Sequence, residues 1–136
     1  MTRALPRRVS DGGAAVAEFA MVTVLLVLLF FGVLQVAAYL YVRNVVSASV
    51  ADAARYVSAS GVDPGVAGAR VEELISRSLT PGVAHSLRCT GAAVRDQSSG
   101  LDEVVVECHG RLRTSFLPIG RFLSIDVTAH VLKEPT

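Results

Sequence analysis

The sequence predicts an α+β protein, in which a long N-terminal transmembrane helix extends into a small domain of one helix and a three-stranded antiparallel sheet. Three observations carry that expectation. Phe19 to Val42 is a run of 24 residues without a charge. Apolar positions at three- and four-residue steps continue past this run to about Ser58, and three later stretches alternate apolar with polar side chains. The chain therefore divides into a leader of residues 1–13, a transmembrane and extended helix of residues 14–58 and a small domain of residues 59–136.

The bounds agree with one small domain on an anchor. The chain has 136 residues and a formal charge of +1. Mean hydropathy is +0.49, with the apolar excess concentrated in the span. The 78 residues from Ala59 onward support a modest core, at a size where a disulfide, an anchor or partners often contribute. The only basic run is Arg7–Arg8, so no nucleic-acid surface is expected.

The leader MTRALPRRVSDGG is polar, carries Pro6 and ends in two glycines, so it has no reason to fold alone. Arg3, Arg7 and Arg8 against Asp11 favour a cytoplasmic N-terminus, which places the C-terminal domain outside the cytoplasm. The charge-free run, as a helix, would be roughly 36 Å long against a bilayer core of about 30 Å. A secretory signal has an apolar region of about 7–15 residues ending at a small-x-small site. This run is longer and ends in Tyr39, Tyr41 and Arg43, a pattern of interfacial residues. Such a signal anchor accounts for the leader and the span. It leaves Glu18 unexplained, a carboxylate at the edge of apolar surroundings, where an ionisable side chain points to function.

Gly13, followed by Ala14, Ala15, Val16, Ala17 and Glu18, resembles the Gly-x-x-x-x-Glu processing site of type IV pilins and pseudopilins, with the apolar helix directly behind it. Gly12 would put Ala17 at the glutamate position, so Gly13 sets the register. Phe19 after the glutamate, the continuation YLYVRNVVSASVADAARY and the size of the domain look like the TadE-like pseudopilins of tight-adherence (Flp) pilus systems. The likeness covers residues 12–58 well and the rest loosely. Major Flp pilins are much shorter and typically carry Tyr after the Glu, which argues for a minor component.

The resemblance implies a prepilin peptidase, an aspartyl membrane protease, cutting between Gly13 and Ala14 on the cytoplasmic side. It also implies other pilins, minor pilins and the inner-membrane pilus assembly platform as partners beside membrane lipid, with Glu18 and Phe19 serving assembly. Glycine before the cut lets extended backbone approach a protease closely. Cleavage would remove three arginines and one aspartate and create an amino terminus at Ala14. Ala14 and Glu18 also share a helix face four residues apart, so that amine could pair within the chain; the pilin likeness favours a neighbour.

Beyond the span, Val42, Val45, Val46, Ser49, Val50, Ala53 and Val57 form one stripe, which predicts that the outer half of the helix packs on its own domain. Gly61 stops this helix. Asp63 and Pro64 start another as N-cap and first residue, with Val71, Leu74, Ile75 and Leu79 facing the core, and Pro81–Gly82 end it. Arg70, Glu72, Glu73 and Arg77 read as a solvated face.

Three strands follow. Leu87, Cys89, Gly91 and Ala93 form the inner side of the first; Val104, Val106, Cys108 and Leu112 that of the second; and Leu123, Ile125, Val127, Ala129 and Val131 that of the third. DQSSG joins the first two, and a hairpin symmetric about Ser98 and Ser99 sets Cys89 opposite Cys108 on one face. In an extracytoplasmic domain that pair is expected as a disulfide. A zinc site from Cys89, Cys108, His109 and His85 lacks the usual ligand spacing, and His130 reads as a surface residue. LPIG, Leu117 to Gly120, lacks the threonine and apolar tail of a sorting signal, and it reads as a connecting loop with an apolar tip at Phe116, Leu117 and Ile119. With no Gly-rich phosphate loop, nucleophile elbow or HExxH, neither catalysis, metal nor cofactor is expected. Two readings stay open: a TadE-like minor pilin, and an unprocessed single-span membrane-anchored binding or scaffold domain. A small membrane-bound enzyme ranks last.

Overall fold

The computed structural model describes residues 12–98, 100–111 and 124–133. Their order is α1 (Gly12–Ser60), a 3-10 turn (Pro64–Val66), α2 (Ala67–Ser78), α3 (Pro81–Ala84), β1 (Leu87–Arg95), β2 (Asp102–Arg111) and β3 (Ser124–Leu132). The leader charges Arg3, Arg7, Arg8 and Asp11 lie outside the described residues, as do Ser99, Leu112, Leu123 and the LPIG loop with Phe116. The chain forms two units that divide between Ala38 and Tyr39.

In the first unit the described residues are all helical. Val24 to Phe31 are consecutive apolar residues, so the helix has no polar face, and Leu25, Leu28, Phe30 and Phe31 are all exposed. A helix apolar all round belongs in a protein interior or a membrane. This one is long and apolar enough to cross a membrane, and no other helix among the described residues is. Within the apolar stretch the Thr23 hydroxyl donates to the Phe19 carbonyl at 2.8 Å, which satisfies a polar group that lipid cannot.

The second unit is the α+β domain. The sheet order is β1-β2-β3, antiparallel throughout. The outer half of α1 supplies Val46, Val50, Ala53, Ala54 and Val57 to the core, and they meet Val71 and Ile75 of α2 and Val104, Val106, Cys108 and Ile125 of the sheet. Arg43, Asn44, Ser47 and Asp52 are exposed, as the stripe predicts. The Tyr39 hydroxyl donates to the Ser124 carbonyl at 3.4 Å, and the Ser58 hydroxyl donates to the Leu132 carbonyl at 3.0 Å. Those contacts join opposite ends of β3, so this half of α1 runs along β3 in the same direction. They also occupy edge-strand carbonyls that would otherwise invite another chain.

Several local boundaries differ from the pattern reading. Gly61 stops α1 as expected, with φ 64°, but the helix runs two residues past Ser58, to Ser60. Asp63 caps the 3-10 turn instead of α2, its carboxylate accepting from the Gly65 amide at 2.9 Å. The proline therefore begins that turn, and α2 starts at Ala67. Leu74 and Leu79 are only half-buried, while Ala67 and Gly68 are buried. Pro81 and Gly82 open α3 instead of merely ending α2, since proline is suited to a first helical position. Ala93 is exposed near the hairpin end, beyond the reach of the covering helices.

Gly68 explains why α2 lies so close to β1. A Cβ there would sit 2.3 Å from the Cys89 carbonyl oxygen and 3.1 Å from its carbon, both backbone atoms that cannot step aside. Gly91 repeats the relation, where a Cβ would lie 2.3 Å from the Pro64 oxygen. Gly68→Ala is therefore expected to destabilise the domain, although alanine gains about 1 kcal/mol over glycine in helix propensity. Overpacking of this kind costs about 1–3 kcal/mol, lowering Tm by roughly 4–8 °C per kcal/mol. Gly82→Ala meets nothing within 4 Å and serves as the control. A Tm for Gly68→Ala at or above the parent value would refute the close packing.

Candidate functional site

Two places hold the residues singled out by sequence: the first turns of α1, and the cysteine pair on the sheet. Gly13, Ala14, Glu18 and Phe19 all lie on α1 and are all exposed. Ala14 and Glu18 are one helical turn apart, on a shared face. Glu18 makes no hydrogen bond or ion pair among the described residues. A Cβ at Gly13 would meet nothing within 4 Å, so the fold itself makes no demand for glycine there.

Cys89 and Cys108 are direct partners across β1 and β2, with Cα atoms 4.1 Å apart and their sulfurs bonded at 1.98 Å. The register places Arg95 opposite Asp102, so the hairpin is symmetric about the Ser98–Ser99 bond. Short Asp96 bonds tie its loop: the Ser98 amide donates to the Asp96 carboxylate at 3.1 Å and the Gly100 amide to its carbonyl at 2.8 Å, with Gly100 at φ 70°. Cys108 is fully buried while Cys89 is half-buried, so the bond closes the core beneath α2.

The outer face of the sheet carries an arrangement the sequence reading missed. His109 on β2 stands opposite Asp126 on β3, and its Nδ1 lies 2.8 Å from the Asp126 carboxylate. On its other side Nε2 is 3.4 Å from Glu107. His130 lies 3.2 Å from Glu103, and His85 lies 3.8 Å from Glu72. Among the described residues, no group of three or more His, Cys, Asp or Glu is placed to hold a metal. The signal for the His109 pair was the alternation itself, which puts residues 107 and 109 on one face, but the partner on β3 needed the register.

The carboxylates raise the His109 pKa above its ordinary 6.5, chiefly through the hydrogen bond to Asp126 and then that to Glu107, with desolvation acting in the opposite direction. The charged imidazole is thus favoured by folding. Its contribution to stability is fully present below pH 6.5 and is lost as pH rises through the higher folded value. An NMR titration of the ring protons is expected to place the His109 midpoint above 6.5, and Asp126→Asn is expected to lower it. A midpoint at or below 6.5 in the parent would contradict the pairing.

Residues 13–55 match the TadE-like protein family. The matched stretch begins at Gly13, contains Glu18 and Phe19, and carries the whole apolar run together with most of the outer half of α1. It overlaps the stretch on which the resemblance was read from the motif. No curated protein and no solved structure matches the chain. The TadE-like stretch thus holds the α1 site, while the cysteine pair and the His109 cluster lie beyond it.

Proposed function

We propose that the chain is a minor pilin or pseudopilin of a Tad-type pilus. In this reading a prepilin peptidase removes residues 1–13, and the mature subunit stays in the cytoplasmic membrane as a single-pass protein. Its N-terminus faces the cytoplasm and the domain of residues 59–136 faces outward. From there it joins other pilins at the inner-membrane assembly platform and contributes to pilus biogenesis and adherence, with no catalytic role.

The observation that carries the reading is the family match, which starts at the glycine of the Gly13-x-x-x-x-Glu18 motif and runs through the apolar helix. The surroundings of Gly13 support it. Its side of α1 is open, so packing gives no reason for glycine, whereas a protease gripping extended backbone does. Opening the first turn is cheap, because the first four amides of a helix have no intrahelical partner.

Intact mass of membrane-extracted protein tests this directly, since processing alone removes residues 1–13. Gly13→Val is expected to keep the leader attached while the chain still reaches the membrane, because a β-branched residue stiffens the backbone at the cut. An untrimmed parent protein would favour the anchored, unprocessed domain. Correct trimming of Gly13→Val would place the cut elsewhere.

A further inference from the structure

The second unit holds a cavity of about 390 Å³ lined by α2, α3 and β1, a volume within the range of small-molecule sites. Buried Ile75 and Ala84 line its depth, while exposed Ala69 and Glu72 open it to solvent. Small residues leave this space: Gly68 and Ala69 on α2 and Ala84 on α3 put little or no side chain into it. Cys89 is part of the wall, and Cys108 is not.

The two halves of the disulfide are therefore unequal. Cys108 is 0% exposed within the core, whereas Cys89 packs against that core only in part. A disulfide is made or broken by a thiolate that reaches one of its sulfurs, so access decides which sulfur reacts. A reagent directed at Cys108 has to wait for the core to open. One directed at Cys89 has the cavity already in place.

We propose that Cys89 is the sulfur through which this disulfide is made and opened, with the cavity admitting the sulfur of a thiol oxidoreductase. The proposal concerns the second unit alone and depends on neither processing nor pilus assembly. In the closing direction the Cys89 thiol loses its proton to water, and its thiolate attacks one sulfur of the oxidant's disulfide. A mixed disulfide forms, and the oxidant's other sulfur leaves as a thiolate. Cys108, deprotonated in turn, attacks the Cys89 sulfur, so the native bond forms and the oxidant departs with both electrons as a dithiol. In the opening direction an external thiolate attacks Cys89, and Cys108 leaves as the thiolate. Burial disfavours that anion, and its cross-strand partner is Cys89 itself, so the site favours reclosure.

The test uses the oxidised full chain in detergent, below its melting temperature. The protein is exposed briefly to glutathione, quenched in acid and mapped as peptic fragments by mass spectrometry, which locates the mixed disulfide. Glutathione is expected on Cys89 in preference to Cys108 by about tenfold or more, the factor set by even a modest local opening needed to reach a buried sulfur. In denaturant both sulfurs are accessible, and the preference is expected to vanish. Ala69→Leu places a larger side chain at an exposed position of the cavity wall. It is expected to keep the parental Tm and to lose most of the native exchange, while reacting like the parent in denaturant. Glutathione mainly on Cys108, or one ratio in both native and denatured protein, would overturn the proposal. So would exchange that begins only as the domain melts, or a parental rate in an Ala69→Leu variant of parental Tm.

Discussion

Glu18→Gln is expected to leave processing and membrane insertion intact while abolishing surface pili and co-isolation with other pilins. Glu18 has no partner among the described residues, although it stands beside the apolar run. A charged carboxylate at the bilayer centre costs about 2.5–3.5 kcal/mol on insertion scales, and less near the interface. One such group is tolerable in a membrane, but an opposite charge brought beside it is strongly favoured. Cleavage after Gly13 would supply that charge as the amino terminus of Ala14. In the leader-bearing precursor no amine exists there, so pairing would start only after the cut, which would then act as a switch from membrane storage to assembly. Within one chain Ala14 and Glu18 are four residues apart, and the pilin likeness favours the amine of a neighbouring subunit. Glutamine keeps the shape and removes the charge. Assembly at the parental level in this variant would refute charge pairing, even with the family match intact.

Removing the disulfide is expected to cost the domain about 3 kcal/mol. Cys89 and Cys108 are 19 residues apart, and closing a loop of that length reduces the entropy of the unfolded chain by about this amount. For a domain of this size the loss corresponds to a Tm lower by roughly 12–24 °C. The three tyrosines, Tyr39, Tyr41 and Tyr56, all lie on the part of α1 that belongs to the second unit, so their fluorescence follows its unfolding in detergent. The combined Cys89→Ala and Cys108→Ala variant should melt early, and the parent should do so in reductant. Thiol labelling of native cells should find neither cysteine free unless reductant is added. Full labelling without reductant, or an unchanged melt, would remove the bond from the account. A C-terminus accessible to protease from the cytoplasm would remove the outward placement of the domain.

The two sites differ in how much of them could be read in advance. Gly13, Glu18 and the span lie within one helix, where spacing along the chain is spacing in space, and the family match covers that same stretch. The cysteine pairing was also legible, because a tight hairpin turns sequence symmetry into register. His109 with Asp126 was not, since 17 residues separate them and the connection between their strands sets no register by itself.

The sequence by itself determined the apolar helix, the periodicity that turns its outer half toward a core, the alternation of the strands and the hairpin register. All of these follow from patterns within a few residues or across one tight turn. Only the tertiary structure decided that Asp63 caps a 3-10 turn, that Pro81 opens a helix, and that Gly68 and Gly91 are required where two backbones nearly touch. Each of those outcomes depends on which backbone lies beside which. That choice is made by packing between elements distant in the chain, about which local propensity carries no information.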